Sequence, residues 1–467
     1  MRDQSSESGE YGMARGGSGK RKSAQSIRSL AEQGVRYGLA SYVDIHGRSK
    51  AKCVPIDHFD RMLKGSELFT GAALDGVPQE VNDDEVAAMP DLAHAMVMPW
   101  QSDIAWFPSD LWLNGKPFEA CSRNILKRAT RKAADLGYIF NLGIETEFYI
   151  FRENADGSVA PGTVRDDLDK PAYDVRQQLN SMPVLDQIVS SMNKLGWDVY
   201  SFDQEDATGQ FETDFAYCDA LLMADRFTFF RLMVGEIARM HGLFASFMPK
   251  PYGHRTGSGA HYNMSLADIR TGKNLFEDAK DRRGCGLSKL GYHFIAGVLA
   301  HANAISAVIA PTVNSYKRLI ARGSMSGFTW APIFACYGNN NRTNLLRIPM
   351  GGGRIECRAA DIACNLYLGA AMVLTAGLEG IRKKMDPGEP HRENMYLHDE
   401  KTLKKLKVEK LPRTLGEAVE AFAADPLGRE VMGDLMFETF VKFKAQEWIE
   451  YHSHVSDWEI KRYLRFF

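Results

Sequence analysis

Apolar residues recur along this chain with two periods, and the places where the period changes mark its elements. Ile27, Leu30, Ala31 and Val35 fall three to four apart, which predicts a helix beginning near Ser26. Tyr42-Val43-Asp44-Ile45 and Ala51-Lys52-Cys53-Val54-Pro55 then flank His46-Gly47 and predict a hairpin. Between Phe69 and Met98 the periodicity weakens, and the chain reads as loop more than regular structure. Ile125, Leu126, Ala129 and Ala133 restore a helical stripe over 122–136. Further helices are expected over 182–195, 220–241 and 294–310, the last stopped by Pro311. From about Leu415 the chain reads as helical, with Ser456 placed to cap a helix opening at Asp457-Trp458-Glu459.

One predicted strand carries charge, Gly143-Ile144-Glu145-Thr146-Glu147-Phe148-Tyr149-Ile150. Strand side chains alternate faces, so Glu145 and Glu147 share one side while Ile144, Thr146 and Phe148 share the other. Two buried like charges without a partner would cost roughly several kcal/mol each. A divalent cation answers both, and oxygen donors favour a hard ion such as Mg²⁺ or Mn²⁺. On this strand alone, an arginine partner or a solvated edge answers equally well.

Composition narrows the partners more than the fold. At 467 residues the chain has room for two or more domains. Lys+Arg at 57 against Asp+Glu at 59 leaves a formal charge of -2, so no global field draws in nucleic acid or an anionic membrane. A small-molecule partner is expected. The 7 cysteines lack CxxC spacing, which argues against a disulfide frame or zinc ribbon and for a reducing cytoplasm. Residues 1–24 are polar and Gly/Ser-rich, lack the apolar centre of a signal peptide, and are set aside as a disordered tail. The stretch 294–310 holds His301 and Asn303 and is too short and polar for a comfortable membrane span.

Other segments add to the acidic strand. Glu205 and Glu212 stand across Gly209, and His261 follows Gly257 and Gly259, which allow backbone to approach a ligand closely. Arg354-Ile355-Glu356-Cys357-Arg358 alternates three charges along one strand face. Carboxylates for divalent cations beside guanidiniums are the inventory for moving a phosphoryl group. An intra-strand ion ladder accounts for the last motif taken by itself. No GxxxxGK[ST] loop is present, and Gly351-Gly352-Gly353 lacks the lysine and helix of one, so a nucleotide would bind another way.

Taken in order, Glu145-Thr-Glu147, Glu205 with Gly209-Gln210-Phe211-Glu212, Gly257-Ser-Gly259-Ala-His261, Asn314-Ser-Tyr-Lys-Arg318, Asn341-Arg342 and Arg354-Ile-Glu356-Cys-Arg358 resemble the glutamine synthetase family. The resemblance runs from residue 25 to the C-terminus. It implies an α+β fold, with a small β-grasp-like domain over 25–121 and a catalytic domain over 122–467 whose antiparallel sheet forms an active-site funnel. It also implies ATP and two or three Mg²⁺ or Mn²⁺ ions, one on Glu147, Glu205 and Glu212 and another on Glu145, His261 and Glu356. L-Glutamate would lie on Gly257 and Arg318, with Arg358 by its γ-carboxylate. Arg342, Arg347 and Arg354 would steady the nucleotide phosphates and the charge developing during transfer, and Asn263 would lie on the adenosine side. The implied assembly is two stacked hexameric rings with each site between neighbouring subunits.

Where the family carries an acidic ammonium site, this chain departs from it. Phe69-Thr70-Gly71-Ala72-Ala73 stands in for a Phe-Asp-Gly-Ser-Ser run, and Phe328-Thr329-Trp330-Ala331-Pro332 for a glutamate-bearing flap. Gly323-Ser-Met-Ser-Gly327 is inserted upstream, and Thr256 replaces an Asn. Ammonium rewards acidic neighbours, whereas an alkylammonium has fewer donors and more apolar surface. One methyl is worth only about 0.8 kcal/mol of burial, so selectivity needs lost ammonium contacts as well as gained alkyl ones. With Lys170-Pro171-Ala172-Tyr173, the pattern resembles the branch of the family that makes γ-glutamylmethylamide from glutamate and methylamine. Tyr173 and Glu205 would orient the amine, Thr70 and Trp330 would line its pocket, and Glu205 or external base would take its proton. Ammonium, ethylamine or a polyamine as the amine, and a non-catalytic role, are the alternatives. Tyr396 falls near the family's adenylylated tyrosine, but Leu397-His398-Asp399 departs from that site, so an ordinary loop tyrosine is expected.

Overall fold

The computed structural model describes residues 27–321 and 330–467. The tail expected over 1–24 and the inserted run with Phe328 and Thr329 lie outside the described residues. Two sheets share one core. The first runs in the order Ser49–Pro55, Tyr37–Val43, Ile104–Leu113, Val86–Pro90, Glu67–Phe69. The hairpin expected around His46-Gly47 forms, with Val43 opposite Ser49. Tyr37–Val43 also pairs in parallel with Ile104–Leu113, a partnership that no local pattern announces because it needs a long connection. The segment read as loop contains the strands Val86–Pro90 and Met96–Val97, too short for a period of two to register. Along Ile104–Leu113, Ala105 and Phe107 enter a small core with Leu30, Val54 and Phe59, while Trp106 enters the main one.

The second sheet runs Val199–Gln204, Gln210–Phe215, Tyr138–Glu153, Ala260–Asp268, Ile355–Cys357, Asn344–Ile348, Phe334–Asn339. Neighbours are antiparallel except the last pair. Ile144, Phe148, Phe211, Tyr262 and Met264 face the main core. There helix Ala220–Met240 lies on the sheet, and helix Leu366–Lys383 lies on that helix. The α+β class is the one expected, and the opposite face of this sheet is left for polar side chains.

Two helices differ from their sequence pattern. The helix expected over 182–195 is Val175–Lys194, because Asp174 caps it, its carboxylate accepting from Gln177 N at 2.8 Å. Pro183, which by pattern marks a first turn, lies inside it. The helix expected over 294–310 is two, Lys289–Ala300 and Ala302–Ile309, bent by 78°. At the break His301 Nδ1 approaches Asp425 Oδ2 at 2.8 Å, so the polar residue in this apolar run has a charged partner. Among the described residues no single helix is long and apolar enough to cross a membrane, and most of the bent pair is buried. The C-terminal helices end in Asp457–Tyr463, capped reciprocally by Ser456 and Glu459.

A buried ionic cluster ties the first sheet to the helices of the main core. Arg123, 2% exposed, donates to Asp225 at 3.0 Å, Asp110 at 2.8 Å and Asp91 at 2.8 Å. His94 Nδ1 lies 2.7 Å from Asp225 Oδ2, and the Tyr367 hydroxyl donates to Asp225 at 2.6 Å. Asp91, His94 and Asp110 come from the first sheet and its loops, whereas Arg123, Asp225 and Tyr367 sit on three different helices.

Candidate active site

Antiparallel register lines the free face of the second sheet with polar chemistry. Glu147 lies opposite Glu212, and Glu212 opposite Asp203. Glu145 lies opposite His261, Asn263 opposite Glu356, and Glu356 opposite Arg347. Directly opposed residues point to one side of a sheet, so three adjacent rows share this face: Asp203, Glu212 and Glu147; Glu145 and His261; and Asn263, Glu356 and Arg347.

Two groups of donor atoms each close to within 4.8 Å: Glu145, His261 and Glu356, and Glu147, Glu212 and His261. His261 Nδ1 is 2.8 Å from Glu145 Oε2 and 3.7 Å from Glu356 Oε1, while its Nε2 is 3.6 Å from Glu147 Oε1. The first group brings together a trio named from the sequence. In the second, His261 stands where Glu205 was expected; Glu205 is outside the group, its carboxylate accepting from Asp206 N at 2.9 Å.

Glu205 nevertheless feels the same charges. Burial and Glu147 push it up to about 8, and burial with Glu205 and Glu145 holds Glu212 well above the carboxylate range. Asp214, on the same face, is pushed up to about 7 by burial and Glu145. At Glu145 burial works the same way, but bonds from His261 and Asn263 outweigh it and hold the carboxyl at about 2. Mutually repelling buried oxygen donors around one imidazole form the donor set that hard divalent cations take, and Glu145, Glu147, Glu205, Glu212, His261 and Glu356 fit such ions.

Guanidiniums complete the face. Fully buried Glu356 is held between Arg347 and Arg358. Arg354 Nε donates to Asn263 Oδ1 at 3.0 Å, and Asn263 Nδ2 to Glu145 Oε1 at 2.9 Å. Arg318 Nη2 lies 3.3 Å from His261 Nε2 and donates to Arg358 O at 3.1 Å. Burial and the neighbouring Arg347 and Arg358 lower Arg342 from the usual arginine range, and its guanidinium lies 5.7 Å from the centre of the Trp330 ring. Gly259 permits this crowding: its N donates to Glu147 Oε2 at 2.8 Å, and a Cβ there would stand 2.7 Å from both Arg318 Nη2 and His261 Nε2.

The residues named for the amine are less gathered. Tyr173 is 71% exposed, with a left-handed φ of 61°, and its N donates to Gln204 O at 2.9 Å. Partial burial, then Glu205 and Asp203, raise its phenol. Thr70 belongs to the first sheet's side, where its hydroxyl donates to Glu85 Oε1 at 3.3 Å. Tyr396 donates to Ala331 O at 2.5 Å, next to Trp330.

Gln210 carries no charge and so escapes a reading keyed to titratable groups. It is completely buried, donating to Glu147 Oε2 at 3.2 Å and Gly257 O at 3.1 Å while accepting from Thr256 Oγ1 at 3.0 Å. Its signal was its place two residues before Glu212 on one strand face. Asp203 and Asp214 were discoverable the same way.

The fold and this face define a class: one mixed domain pair whose larger sheet presents carboxylates, an imidazole and guanidiniums suited to divalent cations and phosphate. Residues 119–463 match the family model described as glutamine synthetase, catalytic domain, and the chain belongs to the glutamine synthetase family. It is 41% identical over 439 residues to the glutamate–methylamine ligase of Methyloversatilis universalis, spanning 94% of this chain and 98% of that one. It is 39% identical over 430 residues to the glutamine synthetase of Rhizobium meliloti, spanning 92% and 96%. Among solved structures, a GmaS/ADP complex superposes with a TM-score of 0.87 at 38% identity, covering 94% of this chain and 99% of that one. Ligand-free GmaS gives 0.86 at 37% identity, covering 94% and 100%.

Proposed function

We propose that this chain joins L-glutamate to methylamine at the expense of ATP, yielding γ-glutamylmethylamide, ADP and phosphate through a γ-glutamyl phosphate. The observation that carries the reading is the single face on which Glu145, Glu147, Glu212, His261 and Glu356 meet Arg347 and Arg358. Two or three Mg²⁺ or Mn²⁺ ions, held by Glu145, His261 and Glu356 and by Glu147, Glu205 and Glu212, would neutralise phosphate charge. The protein's own residues bind and orient. Arg342, Arg347 and Arg354 hold the phosphates, with Asn263 on the adenosine side. Arg318 takes the α-carboxylate of glutamate beside Gly257, and Arg358 faces the γ-carboxylate as it accepts the phosphoryl group.

Methylamine then attacks the acyl carbon; the C–N bond forms, the C–O bond to phosphate breaks, and the proton leaves to Glu205 or to external base. Tyr173 and Glu205 orient the amine, and Trp330 gives it an apolar wall. Thr70 would arrive from the first sheet of a neighbouring subunit, in two stacked hexameric rings working in a reducing cytoplasm. Likeness to the Methyloversatilis ligase and the neutral residues Thr70 and Trp330 support methylamine over ammonium. The test is ADP release across an amine panel at saturating ATP and glutamate. A higher kcat/KM for methylamine than for ammonium, ethylamine or polyamines is expected; a higher value for ammonium would make the chain a glutamine synthetase.

A further inference from the structure

Gln210 is an uncharged side chain that touches both halves of the site. Its Nε2 donates to Glu147 Oε2 at 3.2 Å, on the cation side, and to Gly257 O at 3.1 Å, on the side assigned to glutamate. Its orientation is fixed from behind. Thr256 Oγ1 donates to Gln210 Oε1 at 3.0 Å, which turns the NH₂ group, and both its hydrogens, toward the two acceptors. Thr256 is itself anchored, since Tyr149 donates to its carbonyl at 2.6 Å. The amide and the phenol behind it are shut off from water: Gln210 and Tyr149 are completely buried. In such surroundings a lost donor leaves its acceptor unsatisfied, and a displaced acceptor drags the amide with it.

We propose that Gln210 is a positioning residue whose amide couples the cation subsite at Glu147 to the glutamate subsite at Gly257, with Thr256 setting the amide's orientation. The inference rests on the assignment of glutamate to the Gly257 and Arg318 side. When glutamate fixes the Gly257 backbone, the shared amide is held in the geometry that also fixes Glu147, so each ligand tightens the other. Coupling of this kind is reciprocal. Direct contact between glutamate and a bound cation would also couple them, and the variants separate the two contributions because neither Gln210 nor Thr256 is assigned a direct ligand.

The probe is Mn²⁺ alone, its free ion counted by electron paramagnetic resonance in full-length protein, with and without saturating glutamate and without ATP. Wild-type protein is expected to bind Mn²⁺ more tightly with glutamate present. In Gln210→Met, which keeps chain length and loses both donors, that enhancement should fall by about fivefold or more, at the lower edge of ordinary coupling energies. Thr256→Val should lose part of the enhancement while leaving Gln210 in place, and Thr256→Ser should restore it. Thr256→Val also covers the case in which Gln210→Met does not fold. Enhancement retained in both Gln210→Met and Thr256→Val overturns this inference and leaves the functional reading intact. Wild-type protein that binds Mn²⁺ with no response to glutamate overturns both.

Discussion

His261 Nδ1 sits 2.8 Å from Glu145 Oε2, which turns the other ring nitrogen toward Glu147 at 3.6 Å. One imidazole therefore borders both groups of carboxylates.

Replacing His261 by Asn is expected to weaken cation binding at both groups rather than one. Bound Mn²⁺, counted by elemental analysis of gel-filtered protein, should fall by more than a single ion per chain, and amide formation should drop about 100-fold or more. Loss of one ion only, with the second retained at wild-type affinity, would show that His261 serves a single subsite.

Thr70→Asp restores an acid where the family has one. The ratio of kcat/KM for ammonium to that for methylamine should rise about tenfold, equivalent to ~1.4 kcal/mol, the size of one hydrogen bond to a charged group. A ratio that does not move would remove Thr70 from the amine pocket.

Arg123→Met strips the positive charge from the buried cluster and leaves Asp225 without its main partner. A cost of about 3–5 kcal/mol is expected, the usual result of breaking one side of a buried pair. It reads out as a lower thermal midpoint, with Arg123→Lys intermediate because a lysine keeps the charge without the planar fork.

His94 gives the same cluster a pH dependence. Burial opposes its charge, but the bond to Asp225 and that carboxylate's charge raise it above the ordinary histidine value. A raised folded-state value stabilises fully below the unfolded value of about 6.5, and the gain is lost as pH rises through the folded one. Asp225 behaves in the opposite sense: burial is outweighed by Arg123 and His94, which bring it down to about 2, so its contribution fades only in strong acid. The thermal midpoint of wild type relative to His94→Gln should therefore be highest near about pH 5.5 and shrink by about pH 8.5. A constant difference across that range would remove His94 from the pH dependence.

The polar face of the second sheet was legible because alternation is a local property of a strand, and Glu145, Glu147 and Glu356 each sit in one. His261 was legible through its glycines. What stayed hidden depends on partners distant in sequence. The parallel pairing of Tyr37 with Ile104 leaves no trace in either strand, and the break at His301 follows from Asp425, far along the chain. The helix expected from 182 in fact starts at Val175, where Asp174 caps it. Gln210 shows the remaining gap: alternation puts it on the face of Glu212, but its role emerges only with its three partners in view.

Ala260–Asp268 has one neighbour, Tyr138–Glu153, that is synthesised before it, and another, Ile355–Cys357, that is synthesised well after. A chain stopped short of Ile355 would therefore present an open sheet border bearing His261 and Asn263, with amides and carbonyls available to another strand. A chain ending short of Ile355 would also lack Glu356 and Arg358, so completing the sheet and completing the site are one event.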